Sequence, residues 1–184
     1  RHEVPEIINL HERHNFRPPK DVGIAQVVKT FHQPHMGKLS VSRVISGTIN
    51  DSDMLNGEKI SAIFSVHGDK FTKVGKAETG DVVAFGRLEA AKTGDTLAQG
   101  KEPPTELPRP NIMPSVFVVA IEPENRSDEV KLASSLEKLC DEDASLMLES
   151  NIETNQMLLR GQGDVHIQIA VERLKSKYGV SVSY

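Results

Sequence analysis

Short apolar runs separated by turn residues fill the first half of the chain, and this pattern predicts β-strands. Residues 24–28 and 82–85 are compact apolar runs, and residues 39–42 alternate with the period of two that a half-buried strand requires. Residues 60–66 also alternate, which predicts that their even-numbered apolar residues share one buried face. Turn residues such as Asn56-Gly57 recur about every ten positions, and strands at this spacing predict a small closed β-barrel.

The last part of the chain alternates strand and helix patterns in the order βαββαβ. Residues 116–121 form a continuous apolar strand, and residues 146–148 and 157–159 form a strand pair around a turn at residues 151–155. Residues 180–183 supply the last strand. This order of elements predicts a ferredoxin-like fold.

Two helices complete the predicted ferredoxin-like unit. Ser127 is predicted to cap the first helix, whose apolar residues then fall on one face. The second helix begins near Asp164 and ends at Gly179, because glycine commonly follows the last turn of a helix. Its main apolar face consists of Ile167, Val171, Leu174 and Tyr178.

The second helix also carries two apolar residues on a different side, Val165 and Ile169. In one interpretation, loops cover half of this helix. In the other, Val165 and Ile169 form a contact surface for a neighbouring domain or a protein partner. The sequence leaves both interpretations open.

Changes in composition divide the chain into four segments. Residues 1–20 are polar and contain Pro18-Pro19, which predicts the tail of an upstream domain and a linker. The predicted barrel occupies residues 21–104, a proline-rich linker residues 105–112, and the ferredoxin-like domain residues 113–184.

The formal net charge of −4 and the single cysteine limit the classes of function. An acidic balance argues against a chain coated in nucleic acid, so we expect no DNA partner and only local contacts with RNA. The lone Cys140 rules out an intrachain disulfide and favours the cytoplasm. No apolar run is long enough to cross a bilayer, so we expect no membrane partner.

Sequence motifs for autonomous catalysis are absent. Gly37-Lys38 lacks the upstream glycine of a phosphate-binding loop, and Leu39 stands where Ser or Thr would hold magnesium. Residues 156–161, the third strand of the ferredoxin-like unit, have no aromatic side chain to stack on RNA bases, which argues against an RNA-recognition motif. We therefore expect no enzyme activity, no cofactor and no metal in this chain.

Three sets of motifs resemble elongation factor G and its paralogues, in matching order and spacing along nearly the whole chain after Asp21. The first is GKLSVSRVISGT at residues 37–48, and the second is TGDTL at residues 93–97. The third set combines AIEP at 120–123, LCDED at 139–143 and GQGDVHI at 161–167. Each motif is weak alone, but together they are specific.

The resemblance implies that the barrel and the ferredoxin-like unit are the second and third domains of a translational GTPase. Residues 1–20 are then the end of its GTPase domain. Family members bind the ribosome and use GTP hydrolysis to move tRNA and mRNA, or to drive a related ribosomal step. GTP and magnesium would belong to the parent protein rather than to this segment.

The same resemblance implies partners for each domain. The barrel is expected to touch small-subunit ribosomal RNA. The third domain is expected to relay between the GTPase domain of the same chain and a small-subunit protein. In the barrel, Gly37, Lys38 and Arg43 are candidates for RNA contact, because lysine and arginine offer charge to phosphates and glycine allows close backbone approach.

Four positions of the third domain also follow from the resemblance. Asp143, His166 and Arg173 match positions near the fusidic acid pocket of the family. Pro114 matches the proline that leads into the third domain.

Some residues depart from the usual pattern of the family. Ala144-Ser145-Leu146 replaces Pro-Thr-Phe, and Ala170 replaces a larger apolar residue, which favours an elongation factor G-like paralogue over the housekeeping translocase. Two other functions stay open. One is a free-standing adaptor that binds a protein through Val165 and Ile169, and the other is a stand-alone RNA-binding protein, which the acid-rich last domain disfavours.

Overall fold

The computed structural model describes residue 19 and residues 21–68, 70–104, 106–151 and 156–184. The described residues up to Pro110 form one compact unit, and those from Asn111 to Tyr184 form a second. The predicted upstream tail lies outside the described residues except for Pro19, and the predicted turn at 151–155 does so except for Asn151. Within the described ranges, no helix has the length and apolar character needed to cross a membrane.

The first unit is an antiparallel β-barrel domain. Its described residues form ten strands, which are β1 (Ile24–Gln33), β2 (Gly37–Ser46), β3 (Thr48–Asn50), β4 (Met54–Leu55), β5 (Glu58–Lys59), β6 (Ile63–His67), β7 (Lys70–Val74), β8 (Lys76–Glu78), β9 (Val82–Gly86) and β10 (Thr96–Ala98). Six of them form a sheet in the order β10-β1-β2-β9-β6-β7. Two small antiparallel pairs, β3 with β8 and β4 with β5, complete the domain.

The barrel core differs from the sequence prediction at strand β6. Ile63 is fully buried in the main core, whereas Phe64 and Val66 pack on a second cluster around Leu39. The alternation predicted for residues 60–66 is therefore wrong in its second half. The physical reason is that β6 begins only at Ile63, and the preceding residue Ala62 is also buried. Two successive buried residues break the alternation, so within β6 the odd-numbered Ile63 lies in the main core and the even-numbered residues do not.

The proline-rich segment packs against the first unit as far as Pro110. Leu107 is buried beside Ile24, Ile45 and Ala98, and its backbone N–H donates to Thr96 Oγ1 at 2.8 Å. Two more contacts fix the neighbouring residues: Gln26 Nε2 donates to the Pro108 carbonyl at 3.0 Å, and Arg109 pairs with Asp95 at 3.1 Å. The division between the two units thus falls inside the segment predicted as a linker.

The second unit has the predicted βαββαβ order. Its elements are β11 (Phe117–Pro123), a 3₁₀ turn (Arg126–Asp128), α1 (Glu129–Glu142), β12 (Met147–Asn151), β13 (Gln156–Gly161), α2 (Asp164–Arg173), a π-helical turn (Leu174–Tyr178) and β14 (Val182–Ser183). The strands form one antiparallel sheet in the order β12-β13-β11-β14. This topology confirms the ferredoxin-like fold.

The helices of the second unit match the prediction except at one cap. Leu132, Leu136 and Leu139 of α1 are fully buried, as their spacing predicts. Ser127 does not cap this helix, because it lies inside the 3₁₀ turn and α1 starts two residues later. Gly179 ends the second helical segment with φ of 64°, a left-handed conformation in which glycine avoids the steric cost of a side chain.

Candidate functional site

A polar cluster joins the end of helix α1 to the start of helix α2. Asp143 follows α1 directly, and its backbone N–H donates to the Leu139 carbonyl at 2.9 Å. Its Oδ1 accepts hydrogen bonds from the backbone N–H of Ser145 at 3.1 Å and from Ser145 Oγ at 2.5 Å. Its Oδ2 lies 3.3 Å from His166 Nε2 in the first turns of α2. The carboxylate is therefore held from both sides.

The hydrogen bonds of His166 select one tautomer of its ring. The backbone N–H of Gln162 donates to His166 Nδ1 at 3.0 Å, so Nδ1 carries a lone pair. The proton of the neutral ring then sits on Nε2, which donates it to Asp143 Oδ2. His166 thus connects the loop before α2 with the loop after α1.

Gly161, at the end of β13, lies close to the His166 ring. A Cβ atom at position 161 would lie 3.0 Å from His166 Nδ1 and 3.0 Å from Ile167 Cδ1. Such distances are tighter than ordinary van der Waals contact, so a side chain there would push the ring away from the Gln162 N–H.

Gln162 extends the cluster to the segment that leads into the second unit. Its side-chain Nε2 donates to the Met113 carbonyl at 2.9 Å and approaches the Pro114 carbonyl at 3.4 Å. Next to it, the Val116 N–H donates to the Gly161 carbonyl at 3.0 Å. Pro114 is therefore joined to Asp143 and His166 through Gln162.

Arg173 lies apart from this cluster. It is the last residue of α2, two turns beyond His166, and its side chain is exposed. The structure thus brings together three of the four positions predicted for the third domain. The roles that the family resemblance implies for Arg173, Asp143, His166 and Pro114 stay predictions.

Sequence reasoning missed Ser145 and Gln162, which supply most of the hydrogen bonds in the cluster. A hydroxyl two residues after an aspartate is a common turn pattern, and this signal could have pointed to Ser145. Gln162 lies inside the quoted GQGDVHI motif, but its side-chain partner is a distant backbone carbonyl that no local pattern specifies.

Hydrogen bonding sets the charge state of Asp143. Burial alone would raise the pKa of this carboxyl. The hydrogen bonds from the side chain and backbone of Ser145 and from His166 outweigh burial, so the pKa lies below its ordinary value. Asp143 is therefore ionised at neutral pH.

Cys140 is unsuited to nucleophilic chemistry. Burial, followed by the negative charges of Asp141, Asp143 and Glu137, raises the pKa of its thiol to about 11. A thiol with this pKa is almost wholly protonated at neutral pH, and the thiol is a poor nucleophile. In the parts of the chain that the structure describes, no three His, Cys, Asp or Glu side chains are grouped so as to hold a metal ion.

The barrel candidates occupy different environments. Gly37 is exposed with φ of 72° and is the first residue of β2, directly after the turn that follows β1. Lys38 is only 4% exposed, and its Nζ donates to the Glu89 carbonyl at 2.8 Å. Arg43 is half-buried on the same strand about 17 Å further on and faces the opposite side of the sheet.

The burial of Lys38 counts against direct contact between its ammonium group and a phosphate. The structure does not bring the three barrel candidates together at one surface. Contact of Gly37, Lys38 and Arg43 with RNA stays a prediction.

Val165 and Ile169 project from α2 into solvent. Their exposed fractions are 66% and 44%, large values for apolar side chains. The described loops therefore do not cover this side of the helix. This exposure favours the interpretation that Val165 and Ile169 form a contact surface for a neighbouring domain or a protein partner.

Two family models match the two units in order. Residues 24–100 match the model described as Elongation factor G domain 2, and residues 112–184 match the model described as Elongation Factor G, domain III. A translation-factor β-barrel followed by a ferredoxin-like domain defines a translation elongation factor segment. The chain belongs to the elongation factor G family.

Curated relatives carry the same family name. The chain is 43% identical over 155 residues to an elongation factor G-like protein of Synechocystis, covering 84% of the chain and 23% of that protein. It is 34% identical to the elongation factor G of Neorickettsia sennetsu, covering 98% of the chain and 28% of the relative. The chain thus spans about a quarter of the length of these relatives.

A solved crystal structure from Thermus thermophilus resembles the chain with a TM-score of 0.78 at 32% identity. The match covers 94% of this chain and 26% of the solved one.

Proposed function

We propose that this chain is the ribosome-binding and interdomain-relay segment of an elongation factor G-like translational GTPase in the cytoplasm. The segment would support GTP-driven movement of tRNA and mRNA, or a related ribosomal step, without hydrolysing GTP itself. The observation that carries the proposal is the pair of family matches, domain 2 at residues 24–100 followed by domain III at residues 112–184.

The partners proposed for each domain follow from the resemblance to the family. The barrel would contact small-subunit RNA, with Arg43 on β2 as the more accessible of the two candidate cations. The third domain would connect the GTPase domain of the full-length protein with a small-subunit protein. GTP and magnesium would bind to that GTPase domain.

Within the family, the residues favour an elongation factor G-like paralogue. The chain is 43% identical to a relative with that name, against 34% and 38% for two relatives named elongation factor G. The replacement of Pro-Thr-Phe by Ala144-Ser145-Leu146 points the same way. Ser145, like the threonine it replaces, has a hydroxyl group, and this hydroxyl donates to Asp143.

Sedimentation with ribosomal small subunits tests the proposed function. The purified chain should pellet with the subunits at low salt and dissociate as salt rises, because phosphate contacts release counterions. Arg43→Gln should weaken pelleting, whereas Lys76→Gln, which removes an exposed lysine paired with Glu78, should not. GTP turnover by the purified chain, or no pelleting at any salt concentration, would contradict the proposal.

A free-standing protein-binding adaptor is the second candidate. The exposure of Val165 and Ile169 supports it, because a two-residue apolar surface on a helix fits a protein partner. The natural reading frame separates the two candidates. A frame that encodes no phosphate-binding loop would favour the adaptor, and a frame that encodes one upstream would favour the GTPase segment.

A further inference from the structure

We infer that Asp143, His166 and Gln162 form a hydrogen-bonded clamp that positions the lead-in segment, residues 113–116, on the second unit. The clamp runs from the end of α1 through the loop before α2 to the backbone of this segment. It concerns the second unit alone and does not depend on the proposed function. In this clamp, Asp143 and His166 are positioning residues that act through Gln162.

Side-chain packing does little to hold the lead-in segment. Met113 is 70% exposed and Val116 is 77% exposed, so neither side chain is anchored in the core. The segment belongs to no strand or helix and precedes β11. Its described attachments are hydrogen bonds made by its backbone. The Met113 and Pro114 carbonyls accept from Gln162 Nε2, and the Val116 N–H donates to the Gly161 carbonyl.

Gln162 can hold this segment only if its own backbone is fixed. It lies between Gly161 and Gly163, and glycine neighbours leave a backbone with many accessible conformations. The bond from the Gln162 N–H to His166 Nδ1 restrains this residue directly. His166 in turn projects from the regular helix α2, which is a rigid support.

Asp143 fixes the state of His166 that this restraint requires. The Nδ1 atom accepts the Gln162 N–H only while it is unprotonated. Asp143 Oδ2 accepts the proton on Nε2 and so favours that tautomer, while the two bonds from Ser145 hold the carboxylate in place. Asp143 therefore orients the proton of His166, His166 restrains the backbone of Gln162, and Gln162 holds the lead-in segment.

Amide hydrogen exchange on the folded chain tests the clamp with a pair of related variants. His166→Asn places an amide oxygen near the position of Nδ1 and keeps an acceptor for the Gln162 N–H. His166→Gln reaches towards Asp143 but leaves that N–H without its acceptor. We expect exchange at Gln162 and Val116 to rise about fivefold in His166→Gln and to stay within about twofold of the unaltered chain in His166→Asn.

Gln162→Ala tests the last link separately and leaves both bonds of His166 in place. It should raise exchange at Val116 about fivefold, with no change at Leu159, a buried residue of the central strand β13. It also keeps the test decisive if His166→Gln does not fold. Unchanged exchange at Val116 in Gln162→Ala would overturn the clamp.

The tautomer of His166 gives an independent reading. Long-range ¹⁵N–¹H spectra should show the proton on Nε2 and a bare Nδ1, as the two hydrogen bonds of the ring require. A proton on Nδ1 would leave no acceptor for the Gln162 N–H, and that result would also overturn the inference.

Discussion

Single residues in this chain owe their roles to partners that lie far away in sequence. Asp143 is an example, because one of its carboxylate oxygens accepts a hydrogen bond from His166, 23 residues away on another helix. Lys38 is another example: its residue type predicts a charge for phosphates, yet its buried ammonium donates to the carbonyl of Glu89, which lies 51 residues further along the chain. Residue type and spacing show which side chains are polar, but only tertiary structure shows where their hydrogen bonds go.

The lowered pKa of Asp143 predicts a specific pH dependence of stability. Its folded pKa lies below the ordinary value of 3.8, so its stabilising contribution is fully present above that value. The contribution is lost as the pH falls through the folded pKa. The free energy of unfolding of the second unit should therefore fall more steeply under acid in the unaltered chain than in Asp143→Asn.

Tyrosine fluorescence during urea unfolding at a series of pH values measures this effect. The chain has two tyrosines and no tryptophan, and both tyrosines, Tyr178 and Tyr184, belong to the second unit. The signal therefore reports that unit selectively. Parallel pH curves for the unaltered chain and Asp143→Asn would show that the hydrogen bonds do not stabilise the ionised form.

Whole elements were easier to predict than their ends. The βαββαβ order and four of the barrel strands, β1, β2, β6 and β9, follow from the apolar patterns, whereas the shorter barrel strands carry too few residues to show a pattern. Strand β6 shows the limit, since the burial of Ala62 and Ile63 in succession breaks the alternation where the strand begins. The start of α1 shows another, because a 3₁₀ turn displaced the helix from the predicted cap at Ser127.

We predict that the proline-rich segment around Leu107 contributes to the stability of the barrel. Leu107 is 2% exposed in a small cluster with Ile24, Ile45 and Ala98. Leu107→Ala should destabilise the barrel by about 2–3 kcal/mol through lost burial and a residual cavity. Glu106→Ala, at an exposed neighbouring residue, should change stability by less than about 0.5 kcal/mol.

Thermal unfolding followed by far-ultraviolet circular dichroism compares these two variants. A loss of stability limited to Leu107→Ala would show that this segment is part of the barrel fold. Equal and small effects for both variants would show instead that the segment acts only as a spacer between the units.

At the scale of the whole molecule, the fold was predictable and the site only in part. Asp143, His166 and Pro114 were named from the motifs and do meet in one network. Gln162, which joins His166 to Pro114, and Ser145, which donates to Asp143, are not predicted as site residues, because their roles depend on loop geometry. The proposed ribosomal role rests on the family matches, and the chain spans about a quarter of the length of these relatives.

A domain exchange with a full-length relative tests the central claim most directly. The matching segment of the Synechocystis elongation factor G-like protein would be replaced by this chain, and ribosome-stimulated GTP hydrolysis would be compared with the unaltered relative. We predict a rate within about tenfold of that reference, since the segment would still engage the ribosome and relay to the GTPase domain. A folded chimera that hydrolyses GTP at the same rate with and without ribosomes would contradict the account.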